Sequence, residues 1–340
     1  MEWPLVLRKL VEGVDLTSEE ARASMAAIMG GEAAPSQLAA FLTGLRIKGE
    51  SLDEITGFVE AVRAVAVTVE TGLPVIDVVG TGGDRSGTFN ISTTAAIIAA
   101  AAGANVAKHG NRSISSKCGS ADLLEGLGVP IDLPPEANVQ LLQQSGFAFF
   151  FAPLYHPAFR HVGPVRKELG IPTIFNFLGP LANPAGAKRQ STGVSDPRIA
   201  EKMIGVLARL GAEYAFVFYG EDGLDEVTTT GPTYIYRLRA GEVTHAEFTP
   251  EDFGVDRSAP QDLVGGDVGT NVEITRSILA GAAGPTRDAA LINASPALVA
   301  AGMADGFVTG VDLARDTVDS GMAAAKLEHI IEIGRSLQTS

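Results

Sequence analysis

The chain has 340 residues, of which 46% are hydrophobic and 19% charged, an ordinary composition for a globular protein with a sizeable core. The net charge of −14 argues against nucleic acid as a partner, and the single cysteine, Cys118, excludes an intrachain disulfide. The longest apolar stretch is too short to span a bilayer and the N-terminus is a poor signal peptide, so we expect a cytoplasmic protein with no membrane partner.

Residues 4 to about 70 show only helical patterns. Two capping boxes, Thr17 with Glu20 and Ser51 with Glu54, mark helix starts. We find no catalytic cluster in this segment. Small helical segments of this kind usually pack on a partner, so we treat it as a candidate dimer surface.

The pattern changes at Val75, where β-rich runs begin to alternate with helical runs. This alternation predicts an α/β domain with a largely parallel sheet. The predicted strands are residues 75–79, 105–107, 147–151, 214–219 and 233–238, and the predicted helices are residues 92–102, 120–127, 135–145, 196–210 and 271–280. Residues 312 to about 337 are expected to form one long closing helix, interrupted near Gly321.

Residues 80–120 are the most informative segment, because they hold four Lys or Arg residues and only one acid, Asp84. Local positive charge in an acidic protein favours a compact anionic ligand. The glycine run 80–83 follows a strand, where backbone N–H groups can approach a phosphate, although an ordinary tight turn is as good an interpretation. Ser92 and Thr93 stand at the start of a predicted helix, where one is expected to be the N-cap and a Ser hydroxyl can bind magnesium.

The run 108–116 is interpreted as a loop with two cations, an imidazole, an amide and several hydroxyls, and without paired acids. It follows an apolar strand, the position at which α/β folds bind ligands. A solvated basic loop is the alternative. Cys118, beside the loop, is interpreted as a packing residue because no base is evident next to it.

Asp225 and Glu226 lie between two predicted strands and offer the carboxylate oxygens that hard cations prefer, although acid-rich loops are usually only solvated surface. Arg166 lies on a predicted helix over residues 157–170. An Arg can grip a carboxylate with two hydrogen bonds, but composition alone favours a solvated helix face. His156 and His161 are equally ambiguous.

Several motifs, taken together, resemble the anthranilate phosphoribosyltransferase family in order and spacing, over nearly the whole chain. They are GTGGD (80–84), NIST (90–93), KHGNR (108–112), SSK (115–117), GSAD (119–122), VRKELG (165–170), TIFNFLGPLANP (173–184), DGLDE (222–226) and TTGP (229–232). Three departures are visible: Ser113 and Cys118 stand where Ala and Ser are expected, and Thr270 precedes Asn271 where Glu is expected. None of the three is a residue expected to bind metal or do chemistry.

The resemblance implies an α/β fold with a small all-helical N-terminal domain and a large domain whose mostly parallel sheet is flanked by helices. The helical domain would comprise residues 1–71, joined in space by part of 155–185, and would form a homodimer. Residues 72–340 would be the catalytic domain. The implied reaction transfers phosphoribose from phosphoribosyl pyrophosphate (PRPP) to the amino group of anthranilate in tryptophan biosynthesis. It gives N-(5-phosphoribosyl)anthranilate and pyrophosphate.

The resemblance also implies site residues at the matching positions. The PRPP site would be lined by Gly80, Gly83, Asp84, Thr88, Asn90, Ile91, Ser92, Thr93, Lys108, His109, Gly110, Asn111, Arg112, Ser113, Ile114, Ser115, Ser116 and Ser120. Mg²⁺ would be held by Ser92, Asp225 and Glu226. Asn111 and Arg166 would contact anthranilate, with Arg166 on its carboxylate. An arylamine attacks as the neutral species, so no strong general base is required, and His109 is only a candidate.

Two other functions stay open at this point. A pyrimidine nucleoside phosphorylase of the same fold would bind phosphate and a nucleoside, but the Asp225–Glu226 pair and Arg166 favour the transferase. A non-catalytic relative that binds nucleic acid would need a basic groove, against which the net charge argues.

Overall fold

The computed structural model describes residues 1–113 and 116–338, which form fifteen α-helices and seven strands. The helices are α1 (Trp3–Val11), α2 (Ser18–Met29), α3 (Pro35–Lys48), α4 (Leu52–Ala64), α5 (Ile91–Ala101), α6 (Ser120–Leu127), α7 (Pro135–Ser145), α8 (Ala152–Tyr155), α9 (Gly163–Leu169), α10 (Phe175–Leu181), α11 (Pro197–Arg209), α12 (Val268–Leu279), α13 (Pro285–Ala301), α14 (Phe307–Asp319) and α15 (Met322–Gln338). The strands are β1 (Ile76–Gly80), β2 (Val106–Gly110), β3 (Phe147–Phe151), β4 (Arg189–Gly193), β5 (Tyr214–Gly220), β6 (Thr233–Arg239) and β7 (Glu242–Phe248).

The seven strands form one sheet in the order β3-β2-β1-β4-β5-β6-β7. The first five of these are parallel to one another, and β6 and β7 continue the sheet as an antiparallel hairpin. The predicted α/β fold class is therefore confirmed.

The chain builds outward from β1 through β2 to β3 and then returns to the other side of β1 with β4. This reversal of strand order opens a crevice at the carboxyl ends of β1 and β4, where open α/β sheets bind their ligands.

The strands that were predicted agree with the structure to within a few residues, but β4 and β7 were not predicted. The predicted interruption of residues 312–337 near Gly321 is confirmed: they form parts of α14 and α15, and Gly321 between them adopts a left-handed conformation with φ 79°. Another predicted helix is divided. Residues 157–170 form a 3₁₀ turn (Pro157–His161) and then α9, because Pro164 at the start of α9 cannot continue a preceding helix.

The N-terminal helices do not form an isolated core. Both predicted capping boxes are confirmed, at the starts of α2 and α4. These two helices pack closely because Gly57 has no Cβ, which would otherwise collide with the Ser18 carbonyl oxygen. The apolar faces of α1–α4 share one hydrophobic cluster with α9, α10, α11 and one face of β5. The Lys202 ammonium of α11 also donates to the Glu50 carbonyl oxygen at 2.6 Å.

The other face of the sheet is covered by α5, α6 and the C-terminal helices α12–α15, which bury the largest hydrophobic cluster. Helix α5 is apolar all round and is almost completely buried, as expected for a helix enclosed between a sheet and other helices. Within residues 1–113 and 116–338, no helix has both the length and the apolar character that crossing a membrane needs.

Candidate active site

Strands β1, β2, β4 and β5 each end in glycine. Two of these glycines, Gly80 and Gly193, allow the segment around Asp225 to lie close to the strand ends at the crevice. A Cβ at Gly80 would collide with the Asp225 carboxylate, and a Cβ at Gly193 would collide with the Asp225 backbone. The segment that follows β5 therefore lies directly against the carboxyl ends of β1 and β4. Any side chain at Gly80 or Gly193 would displace it.

Asp225 and Glu226 are buried, with 8% of each residue exposed. The Asp225 Oδ2 accepts a hydrogen bond from the Gly82 N–H at 2.6 Å, and the Glu226 Oε1 accepts one from the Ser92 N–H at 3.1 Å. The alternative of a solvated acidic loop is therefore wrong. The two carboxylates join the glycine loop after β1 to the first turn of α5.

The first turn of α5 differs from the prediction that Ser92 or Thr93 is its N-cap. The N-cap residue is Asn90, whose side chain makes no capping bond and instead donates to the Cys118 carbonyl oxygen at 3.1 Å. Ser92 lies in the first turn, and its N–H is bound by Glu226. The Ile91 side chain packs in the core, so Ile91 can offer a ligand only its backbone.

One residue that the sequence analysis missed, Asn293 of α13, fixes the backbone beside Glu226. Its Oδ1 accepts from the Val227 N–H and its Nδ2 donates to the Val227 carbonyl oxygen, both at 2.8 Å. The same Nδ2 donates to the Ala289 carbonyl oxygen of its own helix at 2.8 Å. A buried amide inside the apolar run 289–299 was the available signal, since such a group is retained only where it is hydrogen-bonded.

Negative charge exceeds positive charge among the buried groups below the crevice. Burial raises the pKa of Asp225 to about 6, with a further contribution from Asp84. Burial also raises the pKa of Glu226 well above its usual value, and Asp225 adds to that shift. Lys108 is the cation that faces them. Its ammonium is buried, donates to the Val78 carbonyl oxygen, and has its pKa lowered by burial.

This arrangement fits a hard cation. Two buried carboxylates and the nearby Ser92 hydroxyl are oxygen donors, and a cation would offset both the burial of the carboxylate charges and the repulsion between them, which raise their pKa values. In the part of the chain that the structure describes, no three His, Cys, Asp or Glu side chains converge on one point. A cation bound here would take further oxygens from another source, as Mg²⁺ does from substrate phosphates.

The run 108–116 differs from the predicted loop in two respects. Lys108 and His109 lie on β2 and are buried, because β2 extends to Gly110. Arg112 pairs with Asp122 at 2.8 Å and with Glu125 at 2.9 Å, so the expectation of cations without paired acids is wrong for this residue. Both acids come from α6, which begins after the loop. The predicted site residues Ile114 and Ser115 lie outside the described residues.

The remaining polar groups of this loop are engaged with one another. The Ser113 hydroxyl accepts from the Ser116 N–H at 2.7 Å, and the Ser113 N–H donates to Asp122 at 3.1 Å. The Ser120 hydroxyl donates to the Asn111 carbonyl oxygen at 3.2 Å. Cys118 is buried, and burial raises the pKa of its thiol, which suits the packing role predicted for it.

His109 lies beside a second buried histidine. Its Nδ1 is 3.0 Å from the Gly179 carbonyl oxygen, which can only accept, so this nitrogen carries the proton. Its ring centre lies 5.0 Å from that of His156. Burial lowers the pKa of His109 to about 3 and that of His156 to about 4, so both rings are neutral at pH 7.

Arg166 reaches the same region through α10. Its Nη2 donates to the Asn176 Oδ1 at 3.4 Å, and its guanidinium lies 5.6 Å from the centre of the Phe175 ring. Burial lowers the pKa of this guanidinium. Because Gly179 of α10 binds His109, the helix connects Arg166 to the end of β2. The solvated helix face favoured by composition alone is therefore wrong for Arg166, which is partly buried against an aromatic ring.

Comparison with known proteins decides the family. Residues 72–324 match the model of the glycosyl transferase family a/b domain, and residues 4–66 match its helical bundle domain. The anthranilate phosphoribosyltransferase of Solibacter usitatus (strain Ellin6076) is 51% identical over 333 residues, which is 97% of this chain and 98% of that protein. The chain belongs to the anthranilate phosphoribosyltransferase family. The family member of Moorella thermoacetica is 52% identical over 326 residues, 96% of each chain.

Solved structures of other anthranilate phosphoribosyltransferases have the same fold. The enzyme of Thermus thermophilus superimposes with a TM-score of 0.92 at 42% identity, covering 97% of this chain and 99% of that chain. The enzyme of Saccharomyces cerevisiae, solved in complex with PRPP and Mg, superimposes with a TM-score of 0.90 at 28% identity, covering 98% of each chain.

The buried histidines predict how stability depends on pH. Both pKa values lie below the ordinary value of about 6.5, so the unfolded chain binds more protons and the free energy of unfolding falls as the pH falls below about 6.5. Between pH 7.5 and pH 5 the contribution of His156 alone is about 1–2 kcal/mol. Urea denaturation across this range should show a shallower loss for His156→Phe than for the wild type. His245→Gln, which removes an exposed histidine, is the control, and identical slopes in all three proteins would contradict the prediction.

Proposed function

We propose that this member of the anthranilate phosphoribosyltransferase family transfers phosphoribose from PRPP to the amino group of anthranilate, releasing pyrophosphate. The observation that carries the proposal is the joining of the glycine loop, the first turn of α5 and the Asp225–Glu226 segment at the point where the strand order reverses. Backbone N–H donors and carboxylates within one crevice suit a phosphate ester that is bound together with a cation.

The leaving group would lie on the β1 side of the crevice. The loop 80–84, Thr88, the first turn of α5 and the loop that follows β2 would bind PRPP. Breaking the anomeric C–O bond leaves the electron pair on pyrophosphate, so donors that are already in position stabilise the charge that develops. Asp225 and Glu226 now occupy two of these backbone donors, so an incoming phosphate must take the place of a carboxylate.

Ser92, Asp225 and Glu226 would hold Mg²⁺. When bound, the cation supplies positive charge beside the pyrophosphate oxygens as the bond breaks. The residues of the chain contribute by burial and position. Asn293 holds the backbone at Val227, and Gly80 and Gly193 leave room for the Asp225 segment.

Anthranilate would lie between α9, α10 and the end of β2. Arg166 would bind its carboxylate with the guanidinium fork, while Asn111 would contact the ring substituents. The neutral amine attacks the anomeric carbon with its lone pair, and the resulting ammonium is acidic enough to lose its proton without a strong base. His109 is a poor general base, because burial lowers its pKa to about 3.

The activity is tested by the loss of anthranilate fluorescence on mixing the purified protein with PRPP, with and without Mg²⁺. Loss that requires PRPP and is stimulated by Mg²⁺ supports the proposal. A folded protein that consumes no anthranilate, but releases base from uridine or thymidine in phosphate, would instead be a nucleoside phosphorylase.

The role of Arg166 predicts a selective loss of one substrate. Arg166→Ala should raise the KM for anthranilate by about 10- to 100-fold, because the variant loses a charge-assisted pair of hydrogen bonds to the carboxylate. The KM for PRPP should change little. Lys167→Ala, which removes the neighbouring exposed cation on α9, is the matched control. An unchanged KM for anthranilate in Arg166→Ala would remove Arg166 from the anthranilate site.

The two carboxylates predict a change in the response to Mg²⁺. The double variant Asp225→Asn with Glu226→Gln keeps the side-chain shapes but removes both charges. We expect the Mg²⁺ concentration for half-maximal PRPP binding, measured by calorimetry, to rise at least about tenfold. Glu221→Gln, an exposed acid of the same loop, is the control. A normal Mg²⁺ titration in the double variant would exclude these residues as ligands.

We also propose that residues 1–71 and the neighbouring part of 155–185 act as one helical domain that forms a homodimer. Val11 and Ile47 are 85% and 83% exposed, and they flank the contact between Leu10 of α1 and Gly44 of α3. A second copy of the chain would cover these apolar side chains. Sedimentation equilibrium should show dissociation for Val11→Lys with Ile47→Lys but not for Val243→Lys, an exposed valine of β7. A monomeric wild type would contradict the proposal.

A further inference from the structure

A cavity of about 350 Å³ lies between the antiparallel end of the sheet and the connection from α13 to α14. Its floor is formed by β5, β6 and β7, including Phe216, Ile235 and Arg237, and Val299 and Phe307 close it from the helices. This volume falls within the range of small-molecule sites in proteins. The cavity is separate from the crevice described above. Phe216 precedes Gly220 by four residues on β5, which at about 3.3 Å per residue separates the two by about 13 Å.

The apolar wall of this cavity is held in place by contacts among its own aromatic rings. The Phe307 ring centre lies 5.2 Å from that of Phe216, 5.1 Å from that of Phe248 and 5.0 Å from that of Phe253. The Tyr214 ring centre lies 5.2 Å from that of Phe216. Rings in edge-to-face and stacked contacts lose little freedom when another ring is added, so the wall is already in a form that can receive an aromatic group.

Two charged residues of opposite sign line the same cavity. Arg237 lies on β6 directly across from Phe216 of β5, and Asp305 precedes the start of α14. Within residues 1–113 and 116–338, neither side chain has an ion pair or a hydrogen bond, either with the other or with a third residue. The neighbouring Arg239 differs, because its guanidinium stacks on the Tyr214 ring at 5.2 Å.

We propose that this cavity binds an aromatic α-amino acid, with the ring against the partly exposed rings of Phe248 and Phe307. The Arg237 guanidinium would take the carboxylate, and the Asp305 carboxylate would take the ammonium group. A ligand with one charge would engage only one of Arg237 and Asp305, and a ligand without a ring would leave the partly exposed rings of Phe248 and Phe307 in water. The zwitterionic aromatic amino acid satisfies all three parts of the lining. The assignment of the cavity does not depend on the proposed transferase function, and only the anthranilate competition in its test rests on that function.

The cavity shares a helix with the crevice. Val299, which lines the cavity, lies on α13 six residues after Asn293, the residue that holds the backbone beside Glu226. The cavity and the crevice nevertheless have different linings. Anthranilate is expected in the crevice, beside Arg166 and the end of β2. Binding of the amino acid should therefore persist when the crevice is filled.

The experiment measures binding of L-phenylalanine and L-tryptophan to the full-length protein by calorimetry and by saturation-transfer NMR. We expect binding that Arg237→Gln and Asp305→Asn each weaken by about tenfold or more, while Arg22→Gln, an exposed arginine of α2, leaves it unchanged. 3-Phenylpropionate, which lacks the ammonium group, and L-alanine, which lacks the ring, should both bind more weakly.

Saturating anthranilate distinguishes the cavity from the crevice. Undiminished binding of L-phenylalanine in its presence supports the proposal. Three results would overturn it: no binding by the wild type, equal binding by the wild type and both cavity variants, or complete displacement of L-phenylalanine by anthranilate. Because the substituted residues are charged and lie at the surface, circular dichroism is expected to show that all three variants remain folded.

Discussion

The contact between the Asp225–Glu226 segment and the carboxyl ends of β1 and β4 is the constraint on which the rest of the crevice depends. It requires glycine at positions 80 and 193, since a Cβ at either would collide with Asp225. From the other side, Asn293 binds both backbone groups of Val227. The two carboxylates are therefore placed by the sheet below them and by α13 beside them. Rigid elements of the fold, and not a surface loop, thus fix the positions of Asp225 and Glu226.

The electrostatic balance of the crevice follows from that placement. Three buried carboxylates, Asp77, Asp225 and Glu226, face one buried ammonium group, Lys108, and Asp84 adds negative charge beside Asp225. Loss of water around the buried carboxylates is the main reason that the pKa values of Asp225 and Glu226 are raised, and the repulsion between neighbouring carboxylates adds to it. The excess of basic residues in the segment 80–120 therefore does not make the crevice basic. Arg112 is paired with Asp122 and Glu125 of α6, while Lys108 is outnumbered by the buried acids around it.

The sequence predicted the fold class because most strands of the parallel sheet are apolar runs, and it failed where a strand is not. Strand β4 lies at the centre of the sheet but consists of Arg189, Gln190, Ser191, Thr192 and Gly193. Its burial depends on contacts with distant parts of the chain, such as the bond from the Gln190 side chain to the Pro180 carbonyl oxygen at 3.1 Å. Likewise, Asp225 could be recognised as a candidate. The apolar run around Asn293 marks its amide as buried, but its partner Val227 lies 66 positions away and no local pattern names it.

The shared core of the N-terminal helices and α11 has a consequence for how the chain is made. The Glu50 carbonyl oxygen and the Lys202 ammonium that binds it are separated by 152 positions, so at about 5–20 residues per second the helices would wait about 8 to 30 s on the ribosome for this partner. During that time the part of the apolar surface of α1–α4 that packs on α9–α11 and β5 is exposed. Synthesis of this chain therefore includes an interval in which part of the apolar surface of its first segment has no intramolecular partner.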